Sequence, residues 1–294
     1  MLLFIRLIFV WILEALKKLV PNCFRAKKDV SNDIVLITGG GSGFGRLLAL
    51  RFAEHGSTVI IWDINEHGLN ETKSEIDRKF GTKCFAYLCD VSNRVDVYSK
   101  AESVKKDVGN VTILINNAGI LQVDNFLSLK DENVERLFKV NILSHFWTCK
   151  AFLPSMLNSN SGHIVSIASI GGIVGAPKFS DYCATKAAAI SLMESLYSEL
   201  YFAGKSNINL TTICPVFMRT AMAKTVNSDF VIEPDFAADQ TMDAILRNEN
   251  FVTIPRWQYL SCMLKPILPP KVVVMFMNLL NAQNAFMNYH SSFN

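Results

Sequence analysis

Tyr182 and Lys186 stand four residues apart in SDYCATKAAAI, and Ser169 lies thirteen residues before Tyr182 in HIVSIASIGG. If the first stretch is helical, phenol and ammonium share one face. A phenol titrating near pH 10 is a poor acid or base at neutral pH. A neighbouring ammonium favours the phenolate, and so does the positive ring of an oxidised nicotinamide, so the pair has the makings of a usable proton acceptor. A serine hydroxyl beside it can hold the oxygen of an alcohol while the tyrosine takes its proton. The spacing therefore points to chemistry on an alcohol or a carbonyl.

A second constellation opens the chain's regular part. TGGGSGFG, Thr38 to Gly45, follows the apolar run DIVLI and precedes RLLALRFA. Glycines 39, 43 and 45 between a strand and a helix suit a tight turn on which a pyrophosphate meets the free N–H groups of the helix N-terminus. Asp63 ends the next run, in VIIWDIN. A carboxylate there accepts hydrogen bonds from both hydroxyls of an adenosine ribose and repels a 2′-phosphate, and no Arg or Lys follows at 64 to 66; NAD is preferred over NADP. Asp90, in LCDVS, reads as the end of a third strand, placed for an adenine edge or acting as a helix N-terminal acid. INNAG, Asn116 to Gly119, is a close-passing turn, and Asn141 interrupts the apolar stretch FKVNILSHFW, where a local hydrogen bond is the ordinary explanation.

These residues need a scaffold, and the rhythm of the chain supplies one. DIVLITG, STVIIWD, KCFAYLCD, VTILINNAG, GHIVSIAS, INLTTICP and FVTIP are short and rich in Val, Ile and Thr, as doubly buried parallel strands are. Helical stretches fall near 43–55, 66–79, 94–108, 131–158, 180–203 and 235–248. Strand alternating with helix predicts an α/β, doubly wound parallel sheet covered on both faces. The stretch 216–234 breaks the rhythm just after a strand, where a substrate lid would lie.

Composition narrows the classes further. With 294 residues, 50% hydrophobic and 19% charged, the chain can build one large core. A net charge of +3, without an arginine-rich stretch, argues against a nucleic-acid partner. The seven cysteines (23, 84, 89, 149, 183, 214 and 262) show no paired metal-ligand spacing, so no metal site is expected and the thiols read as reduced. The ends are apolar. Residues 1–28 combine a run of membrane-span length, broken by Arg6, Glu14, Lys17 and Lys18, with a basic flank, and read as a spanning or interfacial anchor with the domain on the cytosolic side. A cleaved signal peptide fits poorly. The tail 256–294 reads as a membrane or dimer contact. The sequons at Asn70, Asn110 and Asn209 read as chance occurrences.

TGGGSGFG, NNAG, Asn141, Ser169 and YCATK together resemble the short-chain dehydrogenase/reductase family over residues 33–255. Within it, DIVLITGGGSGFGRLLALRFA, WDIN, HFWTCKAFLPSM and SDYCATK are most similar to the membrane-associated cluster of retinol and 17β-hydroxysteroid dehydrogenases. The resemblance implies a Rossmann fold with strand order 3-2-1-4-5-6-7, occupying residues 29–255 as one catalytic domain. It implies Tyr182 as acid/base, Lys186 lowering its pKa and binding the nicotinamide ribose, Ser169 orienting the carbinol and Asn141 anchoring a relay water. The implied cofactor set is Gly39, Ser42, Gly43, Phe44, Gly45, Asp63, Asp90, Val91, Asn117, Ala118, Gly119, Tyr182, Lys186, Pro215 and Thr220. Val216 stands where the family commonly has glycine. The expected activity is NAD-dependent oxidation of a lipophilic alcohol, all-trans-retinol first and a 17β-hydroxysteroid next, by a homodimer on the endoplasmic reticulum membrane or a lipid droplet. A lipid-droplet surface protein with little turnover is the alternative from another class.

Overall fold

The computed structural model describes residues 8, 9, 25–220 and 231–279. Seven strands form one parallel sheet: β1 (Ile34–Thr38), β2 (Thr58–Asp63), β3 (Cys84–Leu88), β4 (Ile113–Asn116), β5 (Gly162–Ile167), β6 (Ile208–Pro215) and β7 (Phe251–Ile254). Their order across the sheet is 3-2-1-4-5-6-7, as expected. Helices α1 (Gly43–Glu54), α2 (Glu66–Phe80), α3 (Arg94–Asp107), α4 (Asp131–Phe138), α5 (Ser144–Ser159), α6 (Ser180–Phe202) and α7 (Pro234–Leu246) provide the crossovers, followed by α8 (Tyr259–Leu264) and α9 (Pro270–Leu279).

The period of two along each strand explains why both faces are covered. Val35, Ile37, Val59, Ile61, Ile113 and Ile115 pack with Leu48 and Phe52 of α1, Ile76 of α2 and Met242 of α7. The alternate residues Leu36, Ile60, Trp62 and Leu114 pack with Val97 and Val104 of α3, Phe152 of α5 and Met193 of α6. A one-residue slip of register would exchange these sets, so the register is tightly specified. Local signals set the helix ends: Asn65 accepts the Gly68 N–H and Asn93 those of Val95 and Asp96, while Gly81 takes the left-handed turn that stops α2.

Two departures from the sequence reading bear on the site. The helix expected over 131–158 runs to Ser159 but contains a π turn over Lys139–Leu143, centred on Asn141. The Asn141 side chain is bonded to both backbone groups of Ile120, and the wider turn goes with holding it there. The third strand stops at Leu88, so Asp90 lies in the turn beyond it. Its carboxylate accepts the Ser92 N–H and its own N–H donates to Asp96, which takes the chain out of the ladder. Asn93 caps α3 instead.

Of the expected anchor over 1–28, only residues 8, 9 and 25–28 are described. Among the described residues no helix is long and apolar enough to cross a membrane. The basic flank that follows is welded to the sheet rather than free. Lys27 pairs with Asp243 at 3.0 Å, Lys28 N–H donates to the Leu246 carbonyl, and Arg247 donates to the Arg25 carbonyl. Lys28 Nζ reaches His163 Nδ1 at 2.8 Å. His163 Nε2 stands 2.7 Å from Thr211 Oγ1, whose hydroxyl donates to the Glu249 carbonyl. Burial holds His163 neutral and pulls Lys28 down to about 8.

The central strands carry the core, so truncating one of their buried side chains is costly. Ile115→Ala, fully buried in β4, is expected to lower the unfolding free energy by about 3 kcal/mol, read as a lower urea midpoint at unchanged slope.

Candidate active site

The C-terminal ends of the strands open onto one cavity of about 630 Å³, a size suited to a bound small molecule. Every residue of the expected cofactor set lines it: Gly39, Ser42, Gly43, Phe44, Gly45, Asp63, Asp90, Val91, Asn117, Ala118, Gly119, Tyr182, Lys186, Pro215 and Thr220. Ser169 lines it too. Asn141 does not. It is completely buried behind Gly119 and Ile120, and its amide is spent on the Ile120 backbone and on Thr185 Oγ1 at 3.2 Å. It braces the wall, and through Thr185 it braces the helix that carries Tyr182 and Lys186.

The cofactor end is built by close packing. A Cβ on Gly45 would stand 2.1 Å from the Gly39 carbonyl oxygen, so only glycine lets α1 start against the turn. At Gly43, by contrast, an added Cβ would meet no protein atom within 4 Å, and the residue borders the cavity. Asn117 donates to the Thr38 carbonyl at 2.8 Å and ties the INNAG turn to the glycine turn. One oxygen of Asp63 accepts the Gly41 N–H at 2.9 Å and the other the Asn65 N–H at 3.0 Å. The carboxylate is thus held at the cavity edge while keeping lone pairs for a diol. Open glycine backbone, a helix N-terminus and a fixed carboxylate on one cavity fit a dinucleotide.

At the other end, Ser169 caps a 3-10 turn (Ile170–Gly172), its Oγ accepting the Gly171 N–H at 3.0 Å. That turn lies tight against α6. A Cβ on Gly172 would come 2.6 Å from the Lys186 carbonyl carbon, so glycine here sets the distance between Ser169 and the helix. Ser169 is near enough to the Tyr182 phenol to favour its ionised form, and its hydroxyl donates to the Pro215 carbonyl at 3.4 Å. Lys186 Nζ donates to the Ile167 carbonyl at 2.8 Å and lies 5.7 Å from the Tyr182 ring centre. Val216, the departure from the family pattern, also lines the cavity and donates its N–H to the Ile254 carbonyl.

Electrostatically, the protein by itself does less than the sequence suggests. Burial pushes Tyr182 up to about 12 despite the nearby Ser169, and it pulls Lys186 down to about 8. Removal from water outweighs the mutual help of the two groups. A cationic ligand ring is the further charge that phenolate formation needs.

The walls beyond Tyr182 are apolar, and residues after 255 supply part of them. Leu264, Leu268, Val273 and Met277 join Val174, Phe179, Phe217 and Met218 around the cavity. The sequence reading treated 256–294 as a contact surface and missed this contribution. The apolar spacing of this stretch was legible, but which side of it faced the cavity was not. Residues 221–230 of the expected lid lie outside the described residues; on either side of them Met218 bridges to Ile232. Among the described residues no cluster could hold a metal ion, and the described cysteines are all free.

The family model for short chain dehydrogenases matches residues 33–230, and the chain belongs to that family. Short-chain dehydrogenase/reductase family 16C member 6 of Bos taurus is 47% identical over 262 residues, 87% of this chain and 82% of the relative. Human epidermal retinol dehydrogenase 2 is 40% identical over 90% of this chain and 88% of its own length. Human 17-beta-hydroxysteroid dehydrogenase 13 is 39% identical, over 96% and 94%. A short chain dehydrogenase/reductase from Burkholderia phymatum, solved in complex with NAD, superposes with a TM-score of 0.75 at 26% identity, covering 81% of this chain and 94% of its own. One from Sphingobium yanoikuyae, in complex with NADPH, gives 0.72 at 27%, covering 80% and 94%.

Lys186 gives a testable linkage. Its folded pKa lies below the ordinary 10.5, so between about 8 and 10.5 the contribution of this group to stability rises with pH, against the fall contributed by buried thiols and phenols such as Cys149, Cys214 and Tyr182, which burial pushes up. Lys186→Met is expected to remove that contribution, so that the wild-type profile minus the variant's rises between about pH 8 and about pH 10.5, and to stabilise the cofactor-free protein at neutral pH by up to about 3 kcal/mol. Denaturant titrations across this pH range check it.

Proposed function

We propose that the protein oxidises a lipophilic alcohol, all-trans-retinol to retinal, with NAD. The observation that carries the reading is the convergence of Ser169, Tyr182 and Lys186 on an apolar cavity whose other end is the glycine turn and Asp63. The nicotinamide cofactor supplies the acceptor for the hydride leaving the alcohol carbon. Ser169 Oγ holds the alcohol oxygen, and Tyr182 Oη takes its proton as phenolate. Lys186, charged and close to the Tyr182 ring, stabilises that phenolate and holds the ribose. Asn141 keeps the wall and α6 in place.

The 40% identity to a protein named for retinol supports the retinol assignment; the 39% identity to a 17-beta-hydroxysteroid dehydrogenase makes hydroxysteroids the second reading. Asp63 supports NAD over NADP. The apolar N-terminal run in the sequence supports membrane association at the endoplasmic reticulum or a lipid droplet, with the domain facing the cytosol. So do the exposed Trp257, Leu260, Met263 and Ile267, which sit on the same C-terminal stretch that walls the cavity. Exposed Phe146 on α5 and Tyr197 and Tyr201 on α6 support pairing of those helices in a homodimer.

Membranes containing the protein, given NAD or NADP and a panel of retinol, estradiol and fatty alcohols, test the reading. Tyr182→Phe is expected to lower kcat by roughly 10²- to 10⁴-fold; turnover that survives the substitution would sink the mechanism. Asp63→Ala is expected to weaken NAD binding by about tenfold, the size of one lost charge-assisted hydrogen bond, and to narrow the gap to NADP. Fluorescence titration with each nucleotide measures it.

A further inference from the structure

Behind the cavity, on the α5 and α6 side of the sheet, the core holds a group of polar side chains where apolar packing would be expected. Asn116 Oδ1 accepts the Thr148 hydroxyl at 2.7 Å, and Thr148 Oγ1 also lies 3.1 Å from the His145 carbonyl oxygen. His145 Nδ1 is 3.3 Å from Ser166 Oγ. All four residues are buried. His145 Nε2 is buried as well and has no hydrogen-bond partner among the described residues. An imidazole with one nitrogen unsatisfied in a dry core costs stability, and a leucine of similar size would not.

Its position says what the nitrogen is for. His145 stands one turn after Asn141 and touches Ser166 of β5. The next residue of that strand, Ile167, accepts the Lys186 ammonium through its carbonyl. Lys186 has three N–H donors, of which the protein takes this one; a second serves the cofactor in the proposed mechanism, and the third has no protein acceptor among the described contacts. A ring nitrogen and an ammonium N–H, each without a partner among the described residues, therefore lie behind the same segment of β5.

We propose that His145 is a positioning residue for Lys186: its neutral imidazole donates from Nδ1 to Ser166 and offers Nε2, through one bridging water, to the ammonium, keeping it charged beneath Tyr182. The proposal rests on the reading of Tyr182 as base and Lys186 as its cation. The charge on Lys186 in turn keeps His145 neutral: burial first and Lys186 second pull the imidazole down to about 3. The other titratable groups facing Lys186 are Tyr182 on its own helix and the Cys214 thiol of β6, both pushed up to about 12 by burial and so uncharged. His145 is thus the neighbour whose removal changes the ammonium's solvation without changing a charge.

A thermodynamic cycle in the full-length protein tests this without substrate. Unfolding stability is followed from about pH 6 to about pH 11 for the wild type, His145→Leu, Lys186→Met and the double variant. Removing the acceptor lowers the folded pKa of Lys186, so in His145→Leu the Lys186 contribution to stability is expected to begin its rise about one unit lower, seen as a step in the profile relative to the wild type between about pH 7 and about pH 8, the size of one hydrogen bond to a charged group. The shift is expected to vanish in the Lys186→Met background and to be reversed in His145→Gln, which restores an acceptor. His145→Phe provides a second apolar variant should the leucine fail to fold. In alcohol oxidation, the alkaline limb of the pH profile is expected to move down by the same amount. A stability profile unmoved by both apolar variants, or a shift that survives in Lys186→Met, overturns the proposal. A wild type that oxidises none of the alcohols overturns the proposed function, and the stability cycle still decides the role of His145.

Discussion

The structure is organised around one expensive act, the burial of the Lys186 ammonium at the C-terminal end of the sheet. An isolated charge in a protein interior is costly unless hydrogen bonds and neighbouring dipoles replace the lost water. Here the Ile167 carbonyl and the face of the Tyr182 ring provide part of that replacement. The depressed pKa records what remains unpaid. Much of the local architecture follows from placing this group. Gly172 lets the turn after β5 lie against the Lys186 backbone, and Asn141, held by its π turn, grips both the wall loop and Thr185. The same burial that weakens the cation in the free protein places it where a cofactor ring can add a second positive charge to the field at Tyr182.

At the opposite, N-terminal end of the strands a second, partly buried lysine does different work. Lys28 is held by His163, which passes its own hydrogen bond through Thr211 to the Glu249 carbonyl. The positive charges that follow the apolar N-terminal run look, in sequence, like a loose basic flank available to lipid phosphates. In the fold, Lys27 is paired with Asp243 and Lys28 is mostly enclosed, so this segment is a short rigid strap. The C-terminal stretch is likewise more than a surface. Leu264, Leu268, Val273 and Met277 close the cavity, while Trp257, Leu260 and Ile267 of the same region remain exposed.

How legible the protein was depends on the range of the interaction involved. The strand runs were readable because doubly buried parallel strands must be apolar on both faces, and the helix ends because Asn65, Gly81 and Asn93 satisfy or terminate backbone groups locally. The end of β3 was misplaced by two residues because the side-chain bonds of Asp90 and Asp96 depend on how the turn closes. The π turn at Asn141 was invisible for a similar reason: the partner that holds the side chain lies 21 residues away, on a different loop.

The amino-acid sequence by itself determined the alternation of strands and helices, the glycine turn, Asp63 and the one-helix-turn spacing of Tyr182 and Lys186, because each is a matter of local geometry or of residues close in the chain. Only the tertiary structure decided that Ser169 meets Tyr182, that Asn141 faces the wall rather than the cavity, that the last helices form part of the site, and that burial moves Tyr182 and Lys186 away from each other's help. Solvation and long-range contacts set those outcomes, and neither is encoded in any short stretch of chain.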